Sequence, residues 1–385
     1  MKIGIIDTNI TGLSFGLLCE KNGYEVLFSN KDENFVFNLN QKVCITNEPL
    51  VQSLLFDCTK FNATTSVLDV IRESDIIFVF SETPINLEGN YDTTEVFNII
   101  ANFYSLSSQD VVLHEKKLVI CSTTNPGEVE QIQSRLNMFN VQVAYNPMIV
   151  ESGEIVKNLQ ESDMILIGGE YQDLSNELIN IHTKIKKVTA NAYVMSFKAS
   201  EIVRVGINSF LCSKINQANM IGQIAIKSGI ESEIGMILTA IGGVDGIGKK
   251  HMSYGFGYGG PSINSDNKAI KHYSESIGVE TKLFDSIDDF NKSQLKFIKN
   301  YYTQQNPNKE LPFVFNHITY KKNIPVLEES QQFKLCVDLL DEGYSVNVIE
   351  KPEIMTELNS LSEKYNGRLR FYKPGTKPEG ILINL

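Results

Sequence analysis

The sequence predicts an α/β protein in which two α/β regions flank a helical middle. Short apolar runs alternate with helical patterns in the first half, at 2–6, 25–29, 76–80, 118–121, 142–145 and 164–167. From about residue 196 to 228 there is no strand run and no proline, and apolar residues recur at helical spacing. A second alternation begins near residue 312. Such alternation predicts parallel sheets with helices on both faces.

The first thirty residues have the pattern of a strand–helix–strand unit. The apolar run 2–6 is followed by Gly12 and by a helical pattern that ends at Asn22-Gly23, a plausible helix stop. The next apolar run covers 25–29. This is the sequence form of a βαβ unit, the building block of a parallel sheet.

The middle and the end of the chain continue this organisation. The stretch 196–228 predicts one long helix or a bent pair, and helical signals continue to Gly242 before a Gly-rich loop at 254–260. Further helices are predicted at 266–276 and 286–304, and the polar segment 305–310 is typical of a linker. Beyond it we predict strands at 312–315, 345–349, 369–372 and 381–385 and a helix at 329–342. The expected domains are therefore 1–195, 196–304 and 305–385.

The composition excludes several classes of protein. The chain has 385 residues, a formal net charge of −11, 42% apolar residues and 21% charged residues, which is typical of a globular protein of two or three domains. The acidic balance argues against a nucleic-acid or anionic-membrane partner, since both attract basic surfaces. The six cysteines form no C-x-x-C pair, so neither a local zinc site nor a disulfide framework is expected. The N-terminus enters an apolar run at once, and we expect a soluble, cytoplasmic protein without a metal.

Several motifs together resemble a known family. In chain order they are MKIGIIDTNITGL, GYEVLFSN, SETPINLEGNYDTTEV, STTNPGEVE, YNPMIVESG, the helical segment 201–219, GFGYGGPSINSDN and TYKKNIPVLEES. Each motif alone is only weak evidence for a family. Their order and spacing resemble the UDP-glucose 6-dehydrogenase family, which includes the related GDP-mannose and UDP-N-acetylmannosamine dehydrogenases.

The resemblance implies a fold and a reaction. It implies an N-terminal Rossmann-like domain for NAD, a central long-helix region that builds a homodimer, and a C-terminal α/β, Rossmann-like domain for the UDP part of the substrate. Members of the family oxidise the C6 alcohol of a nucleotide sugar to a carboxylate with two NAD. The expected partners are thus a UDP-sugar or related nucleotide sugar and a second copy of the chain.

The dinucleotide motif departs from the family pattern. Asp7, Asn9 and Gly12 stand where the family has the three glycines of G-x-G-x-x-G, and Asn30 stands at the acidic ribose-binding position, with Asp32 as an alternative two residues on. Asn9 is expected to adopt the left-handed conformation that keeps the turn. An inward Asp7 carboxylate would oppose the diphosphate, because two unit charges about 4 Å apart repel by about 4 kcal/mol at an effective dielectric of about 20. Either NAD binding is lost or it persists in a modified site.

Two further loops match the cofactor surface of the family. Thr83-Pro84 follows the apolar run 76–80, and Ser122-Thr123 follows the run 118–121. The resemblance assigns Thr83 and Thr123 to cofactor binding and Thr123 also to catalysis. Turn formation explains the same dipeptides equally well, since Thr-Pro and Asn-Pro-Gly are common in loops.

The catalytic positions are only partly retained. The family's nucleophilic cysteine aligns with Ser262, and its catalytic lysine aligns with Arg204, which keeps the charge but does not deprotonate. Asn208 and Asp266 match the supporting asparagine and aspartate, although a buried structural amide and a helix cap explain them as well. Other departures from the family pattern lie at Met148, Gly246 and Glu328.

The substrate surface is expected around the Gly-rich loop and the long helix. The residues that the resemblance assigns to substrate binding are Asn208, Tyr254, Phe256, Gly257, Gly259 and Lys321. The aromatic residues of the loop suit a flat uracil base, or they anchor the loop to the core. Two hypotheses follow: a homologue with impaired or lost oxidation and a binding role, or an active enzyme that performs only the alcohol-to-aldehyde step.

Overall fold

The computed structural model describes residues 1–109, 113, 115–260, 263–322, 324 and 326–384. The chain forms two compact units, Met1–Val205 and Gly206–Leu385. Ser262, the predicted nucleophile position, lies outside the described residues, as does Leu385 at the end of the last predicted strand. The three domain boundaries expected from the sequence stay a prediction.

The first unit contains an eight-stranded sheet. Its strands are β1 (Lys2–Ile6), β2 (Glu25–Ser29), β3 (Phe61–Thr64), β4 (Ile76–Val79), β5 (Lys117–Ile120), β6 (Gln142–Tyr145), β7 (Met164–Gly168) and β8 (Asn191–Met195). They lie in the order β3-β2-β1-β4-β5-β6-β7-β8. The first six follow the doubly wound order of dinucleotide-binding folds. The predicted parallel sheet is confirmed, except that β6 and β7 pair antiparallel at Tyr145 and Gly168.

Helices cover both faces of this sheet. They are α1 (Ile10–Lys21), α2 (Glu33–Asn40), α3 (Val51–Asp57), α4 (Val67–Glu73), α5 (Thr94–Ser107), α6 (Glu128–Leu136), α7 (Ile155–Glu161) and α8 (Gln172–Ile185). One apolar cluster, around Leu13 and Phe15, lies on the α1 and α8 side. The other, around Phe103 and Val129, lies on the α5 and α6 side. The sequence analysis missed β8, although 192–195 is a short apolar run, and the first four side chains of this strand are exposed.

A single long helix spans the division between the two units. α9 (Phe197–Lys227) has 31 residues, so it is about 46 Å long at about 1.5 Å per residue. Of the two predicted alternatives, one long helix or a bent pair, the chain adopts the first. A short 3-10 turn at Glu231–Glu233 and α10 (Ile234–Gly242) follow.

The second unit packs helices against a small parallel sheet. After α11 (Ile263–Ser276) and α12 (Lys282–Thr303) come β9 (Phe313–Phe315), α13 (Gln331–Asp341), β10 (Val346–Ile349), α14 (Pro352–Glu357), α15 (Asn359–Lys364), β11 (Leu369–Tyr372) and β12 (Ile381–Ile383). The strand order is β11-β10-β9-β12, with all pairs parallel. The predicted α/β class is thereby confirmed at both ends of the chain. Across the described residues, no helix is both long enough and apolar enough to span a membrane.

Candidate active site

The turn between β1 and α1 differs from the expected conformation. Asn9 is extended, with φ −88° and ψ −177°, and its Oδ1 accepts a hydrogen bond from the Gly12 amide at 2.9 Å. Its Nδ2 donates to the Phe80 carbonyl at 2.9 Å. The left-handed conformation expected for Asn9 is wrong, because this residue caps α1 and a capping residue needs extended backbone. Asp7 is left-handed instead, with φ 52°.

The Asp7 side chain connects two neighbouring strands. Its Oδ2 accepts a hydrogen bond from Ser81 Oγ at 2.5 Å. Asp7 follows β1 and Ser81 follows β4, so this contact lies between the strand ends where the sheet order reverses. Ligands of doubly wound sheets bind at this switch point. The contact therefore places a carboxylate at the switch point of the sheet, where such folds bind their ligands.

Gly12 retains the packing role of the third glycine in the motif. A Cβ atom at Gly12 would lie 2.9 Å from the ring of Phe80. The first turn of α1 thus approaches the end of β4 more closely than any other residue type allows. Close helix–strand packing is the role of the third glycine in dinucleotide-binding turns.

Asn30 and Asp32 are both engaged within the fold. Asn30 Nδ2 donates to the Thr8 carbonyl at 3.0 Å, and its Oδ1 accepts from the Asp32 amide at 2.9 Å. Asp32 caps α2 by accepting from the Asn34 amide at 2.8 Å and the Phe35 amide at 3.3 Å. A ribose hydroxyl at the predicted position would have to share these side-chain groups with the backbone.

These contacts fit a dinucleotide poorly at its diphosphate. The amides of a helix N-terminus are the usual donors to a bound phosphate. Here Asn9 Oδ1 occupies the Gly12 amide and Asp7 adds a negative charge nearby. The Rossmann-like scaffold and the packing of Gly12 are retained, but the phosphate position is not.

The loops after β4 and β5 lie side by side. Asn125 Oδ1 accepts from the Tyr91 amide at 2.9 Å, and Asn125 Nδ2 donates to the Tyr91 carbonyl at 2.8 Å. Thr83 and Thr123, assigned by resemblance to this region, are half-buried within these two loops. Their roles in cofactor binding and catalysis stay predictions.

The sequence analysis missed a buried acid on α9. Glu201 is 0% exposed and accepts hydrogen bonds from Thr124 Oγ1 and from the amides of Gly127 and Val129. Burial raises the pKa of its carboxyl to about 7, although these hydrogen bonds lower it. Its spacing is a usable signal, since Phe197, Glu201 and Val205 are four residues apart and all buried. Arg204 is half-buried less than one turn further along.

The asparagine of the Asn-Pro motif after β6 makes hydrogen bonds to buried groups of the first unit. Asn146 Nδ2 donates to the Leu166 carbonyl at 2.8 Å, and Asn146 Oδ1 lies 2.7 Å from His182 Nε2. Burial lowers the pKa of His182 to about 3, so its imidazole stays neutral. Met148, where the family has an acid, is half-buried and packs against the apolar cluster around Phe15.

The second unit brings Asn208 and Asp266 together. Asn208 Nδ2 donates to Asp266 Oδ2 at 2.5 Å, between α9 and the first turn of α11. Asp266 is 0% exposed. The carboxylate thus has a partner on α9, which a role limited to capping α11 would not require.

A buried polar network continues from this pair. Asn267 Oδ1 accepts from Ser209 Oγ at 2.9 Å, and Asn267 Nδ2 donates to Asp288 Oδ1 at 2.9 Å. Tyr258 OH donates to the same Asp288 oxygen at 2.7 Å. Cys212 lies beside this network and is 0% exposed, and burial raises the pKa of its thiol well above the usual range.

The glycines of the Gly-rich loop allow close backbone packing. A Cβ at Gly257 would lie 1.9 Å from Asn291 Oδ1, and one at Gly259 would lie 2.5 Å from the Glu329 carbonyl. Neither position has room for a side chain. Their assignment to substrate binding stays a prediction.

The aromatic residues of the loop pack inward. A Cβ added at Gly222 would lie 2.1 Å from the Tyr254 ring, so that ring rests on the α9 backbone. Phe256 packs against the core of the C-terminal sheet, and Tyr258 is 4% exposed. This arrangement favours the loop-anchor interpretation. Substrate contact at Tyr254, Phe256 and Lys321 stays a prediction.

Comparisons with known proteins agree with this architecture. Residues 1–186 match the NAD binding domain of the UDP-glucose/GDP-mannose dehydrogenase family, and residues 198–293 match its central domain. A UDP-glucose 6-dehydrogenase of Rickettsia bellii is 23% identical over 361 residues, which cover 91% of this chain and 81% of that protein.

Solved structures show the same fold. A UDP-glucose dehydrogenase from Pyrobaculum islandicum superposes with a TM-score of 0.84 at 19% identity, over 96% of this chain and 85% of its own. A UDP-D-ManNAc dehydrogenase from Pyrococcus horikoshii gives 0.77 at 17% identity, over 97% and 95%. The two domain matches cover more than half of the chain and confirm the family predicted from the order of the motifs. The chain therefore belongs to the UDP-glucose/GDP-mannose dehydrogenase family.

Proposed function

We propose that this chain is a nucleotide-sugar 6-dehydrogenase homologue that binds a UDP-sugar or a related nucleotide sugar but has impaired or lost NAD-dependent oxidation. The observation that carries the proposal is Ser262 at the position of the family's nucleophilic cysteine. A thiolate forms near neutral pH and gives a thioester that water hydrolyses. A serine hydroxyl needs a general base and gives an oxygen ester, which is released less readily.

The described cysteines supply no replacement for this thiol. Cys212 is the cysteine on α9, and its side chain is fully buried beside Tyr258 and Asp288. Burial keeps it in the protonated form, which is a poor nucleophile. Cys19, Cys58, Cys121 and Cys336 are buried as well, and Cys44 is half-buried, with burial raising the pKa of its thiol. The aldehyde-to-acid step is therefore expected to fail.

The cofactor side supports the same proposal. The Asp7 carboxylate and the Asn9 cap both disfavour a diphosphate at the switch point. Arg204 cannot act as the proton acceptor that a lysine becomes after deprotonation. Losses at the cofactor, nucleophile and acid–base positions are harder to compensate than one loss alone.

A second candidate is an active enzyme limited to the alcohol-to-aldehyde step. It is favoured by the Asn208–Asp266 hydrogen bond, which keeps the supporting pair of the substrate side together. This first step needs no thiol. The two candidates differ in whether the protein produces any NADH.

We also propose that the protein acts as a cytoplasmic homodimer. On α9, Phe210 is 82% exposed, Met220 42% and Ile224 55%. Exposed apolar residues on one long helix are typical of an interface. Burial of these side chains against a second copy would remove them from water.

The test combines an activity assay with ligand-binding measurements. The purified protein is mixed with NAD and with UDP-glucose, UDP-N-acetylmannosamine or GDP-mannose, and absorbance of NADH is followed. No NADH, with a thermal shift from a nucleotide sugar, supports the binding role. One NADH per substrate supports the limited enzyme, and sustained production of two refutes both. Ser262→Cys alone is expected not to restore turnover, because Asp7 and the Asn9 cap still disfavour a bound diphosphate.

A further inference from the structure

Glu201 is a fully buried acid of the first unit, and none of the catalytic or binding roles discussed above involves it. Glu201 is 0% exposed and belongs to the second turn of α9. A buried carboxylate is unfavourable unless hydrogen bonds or charges compensate for the lost hydration. The position of Glu201 therefore depends on the groups that surround its two oxygens.

Both oxygens are occupied by donors from one continuous segment. Oε1 accepts from Thr124 Oγ1 at 2.8 Å and from the Val129 amide at 3.1 Å. Oε2 accepts from the Gly127 amide at 2.6 Å. The segment includes the loop after β5 and the first turn of α6.

Glu201 supplies a cap that the local sequence lacks. Gly127 occupies the N-cap position of α6 with φ 100° and has no side chain to accept from the helix amides. The first amides of a helix need such an acceptor, and an acid there also interacts favourably with the helix dipole. The carboxylate of Glu201 fills this role from a helix 72 residues further along the chain.

The position of Glu201 is itself fixed by its neighbours. A Cβ at Gly168 would lie 2.0 Å from Ser200 Oγ, so the first turn of α9 packs directly on the end of β7. Tyr145 at the end of β6 is fully buried, and its phenol lies in the electrostatic environment of Glu201 and Arg204. Ser200 thus packs against the end of β7, while the neighbouring Glu201 holds the segment after β5.

We propose that Glu201 is a positioning residue, which fixes the loop 121–127 and the half-buried Thr123 relative to Arg204 on the same helix. Thr123 directly precedes Thr124, and Arg204 lies three residues after Glu201. The carboxylate is therefore the connection that sets their spacing. This inference rests on the proposed function, in which that loop contributes to ligand binding.

Substitution of Glu201 by glutamine tests this role directly. Glutamine keeps the size of the side chain but has a single acceptor oxygen and an amide that only donates. In Glu201→Gln, the amide would face either the Gly127 amide or the Thr124 and Val129 donors. At least one of the three hydrogen bonds is lost.

The experiment measures loop protection and ligand affinity separately. Amide hydrogen exchange of residues 122–130 is followed by mass spectrometry, and affinities for UDP-glucose and for NAD are measured by calorimetry. We expect Glu201→Gln to raise the rate of amide exchange in residues 122–130 at least tenfold. We also expect it to lower the affinity for at least one of the two ligands about fivefold or more. Glu161→Gln, which removes an exposed acid at the end of α7 outside the measured segment, is the control and leaves both readouts unchanged.

A second pair of variants covers the possibility that Glu201 variants fail to fold. Thr124→Val removes one donor with little change of shape, and Thr124→Ser restores that donor. Increased exchange and weaker binding in the valine variant, reversed in the serine variant, support the proposal. Unchanged exchange in 122–130, or a lower Tm with unchanged ligand affinity, overturns it. If the wild-type protein binds neither ligand, the proposed function fails while the exchange data alone still decide the positioning role.

Discussion

The carboxylate of Asp7 accepts a hydrogen bond from Ser81 Oγ at 2.5 Å, across the ends of β1 and β4. The backbone of Asp7 is left-handed at φ 52°, a conformation that glycine adopts without strain. Both features lie where the family pattern has the first glycine of the dinucleotide motif. The substitution therefore adds a charge and a local strain at the same point of the molecule.

Replacing Asp7 separates these two effects. Asp7→Gly is expected to raise the affinity for NAD at least tenfold, because it removes both the charge and the strained side chain. Asp7→Ala removes the charge but keeps a side chain at the left-handed position. We expect it to give part of the gain in NAD affinity and a lower Tm than Asp7→Gly. Calorimetric titration with NAD and a thermal melt check both variants. An unchanged affinity in Asp7→Gly would mean that the carboxylate is not what opposes the diphosphate.

Leu50 offers a test of backbone strain away from the site. It precedes α3 with φ 70°, and its side chain is 57% exposed. A left-handed L-residue is unfavourable by roughly 1–2 kcal/mol, partly offset by the greater entropy of glycine in the unfolded chain. Leu50→Gly is expected to raise the free energy of unfolding in urea by about 0.5–1 kcal/mol. Leu87→Gly, at a fully exposed leucine without this conformation, should not stabilise the protein.

Glu201 predicts a specific pH dependence of stability. Burial raises its pKa from about 4.5 to about 7, with a smaller contribution from the nearby Glu128 carboxylate. The folded state then binds more protons than the unfolded state between these values, so its contribution to stability is present below about pH 4.5 and lost as pH rises towards 7. The full loss is at most about 3 kcal/mol. Thermal melts from pH 5 to 8 should therefore show a steeper decline for wild type than for Glu201→Gln, and parallel curves would contradict the assignment.

Asn208 and Asp266 are expected to be energetically coupled. Asp266 is fully buried, and Asn208→Ala removes one hydrogen bond to its carboxylate, whereas Asp266→Ala removes the acceptor of the half-buried Asn208 amide. Such a loss destabilises a protein by about 1–3 kcal/mol. We expect Asn208→Ala, Asp266→Ala and the double variant to give a coupling energy of about 1 kcal/mol or more in urea unfolding. Simple additivity would show that the pair contributes nothing beyond its separate packing.

The proposed dimer can be tested on α9. Phe210→Glu places a charge on the exposed apolar side of the long helix and is expected to shift the protein from dimer to monomer in light scattering. Phe37→Glu changes a phenylalanine of the first unit that is 64% exposed and serves as the control. A dimer that persists in Phe210→Glu would place the interface elsewhere.

Most of the fold was predictable because it depends on local periodicity. Strands such as β1 and β4 are continuous apolar runs, and α9 repeats its apolar residues at helical spacing over 31 positions. The order of the motifs along the chain likewise identifies the family. The secondary structure from α2 to α4 was harder to predict from the sequence, because its helices have only seven or eight residues.

The roles of individual polar side chains were decided only by the tertiary structure. Asn9 accepts a hydrogen bond from the Gly12 amide and caps α1 with extended backbone, and the left-handed residue of the turn is Asp7. Glu48 caps α7 through the amides of Gly153 and Ile155, each at 2.7 Å and more than 100 residues away in the chain.

The sequence alone thus determined the α/β class, the helical middle of the chain, the family and the absence of cysteine at position 262. Tertiary structure decided that Glu201 caps a distant helix and that Asp7 turns towards Ser81. The physical reason is the range of the interactions involved. Apolar periodicity is encoded by neighbouring residues, whereas a buried carboxylate takes its donors from whichever backbone amides the fold brings near it.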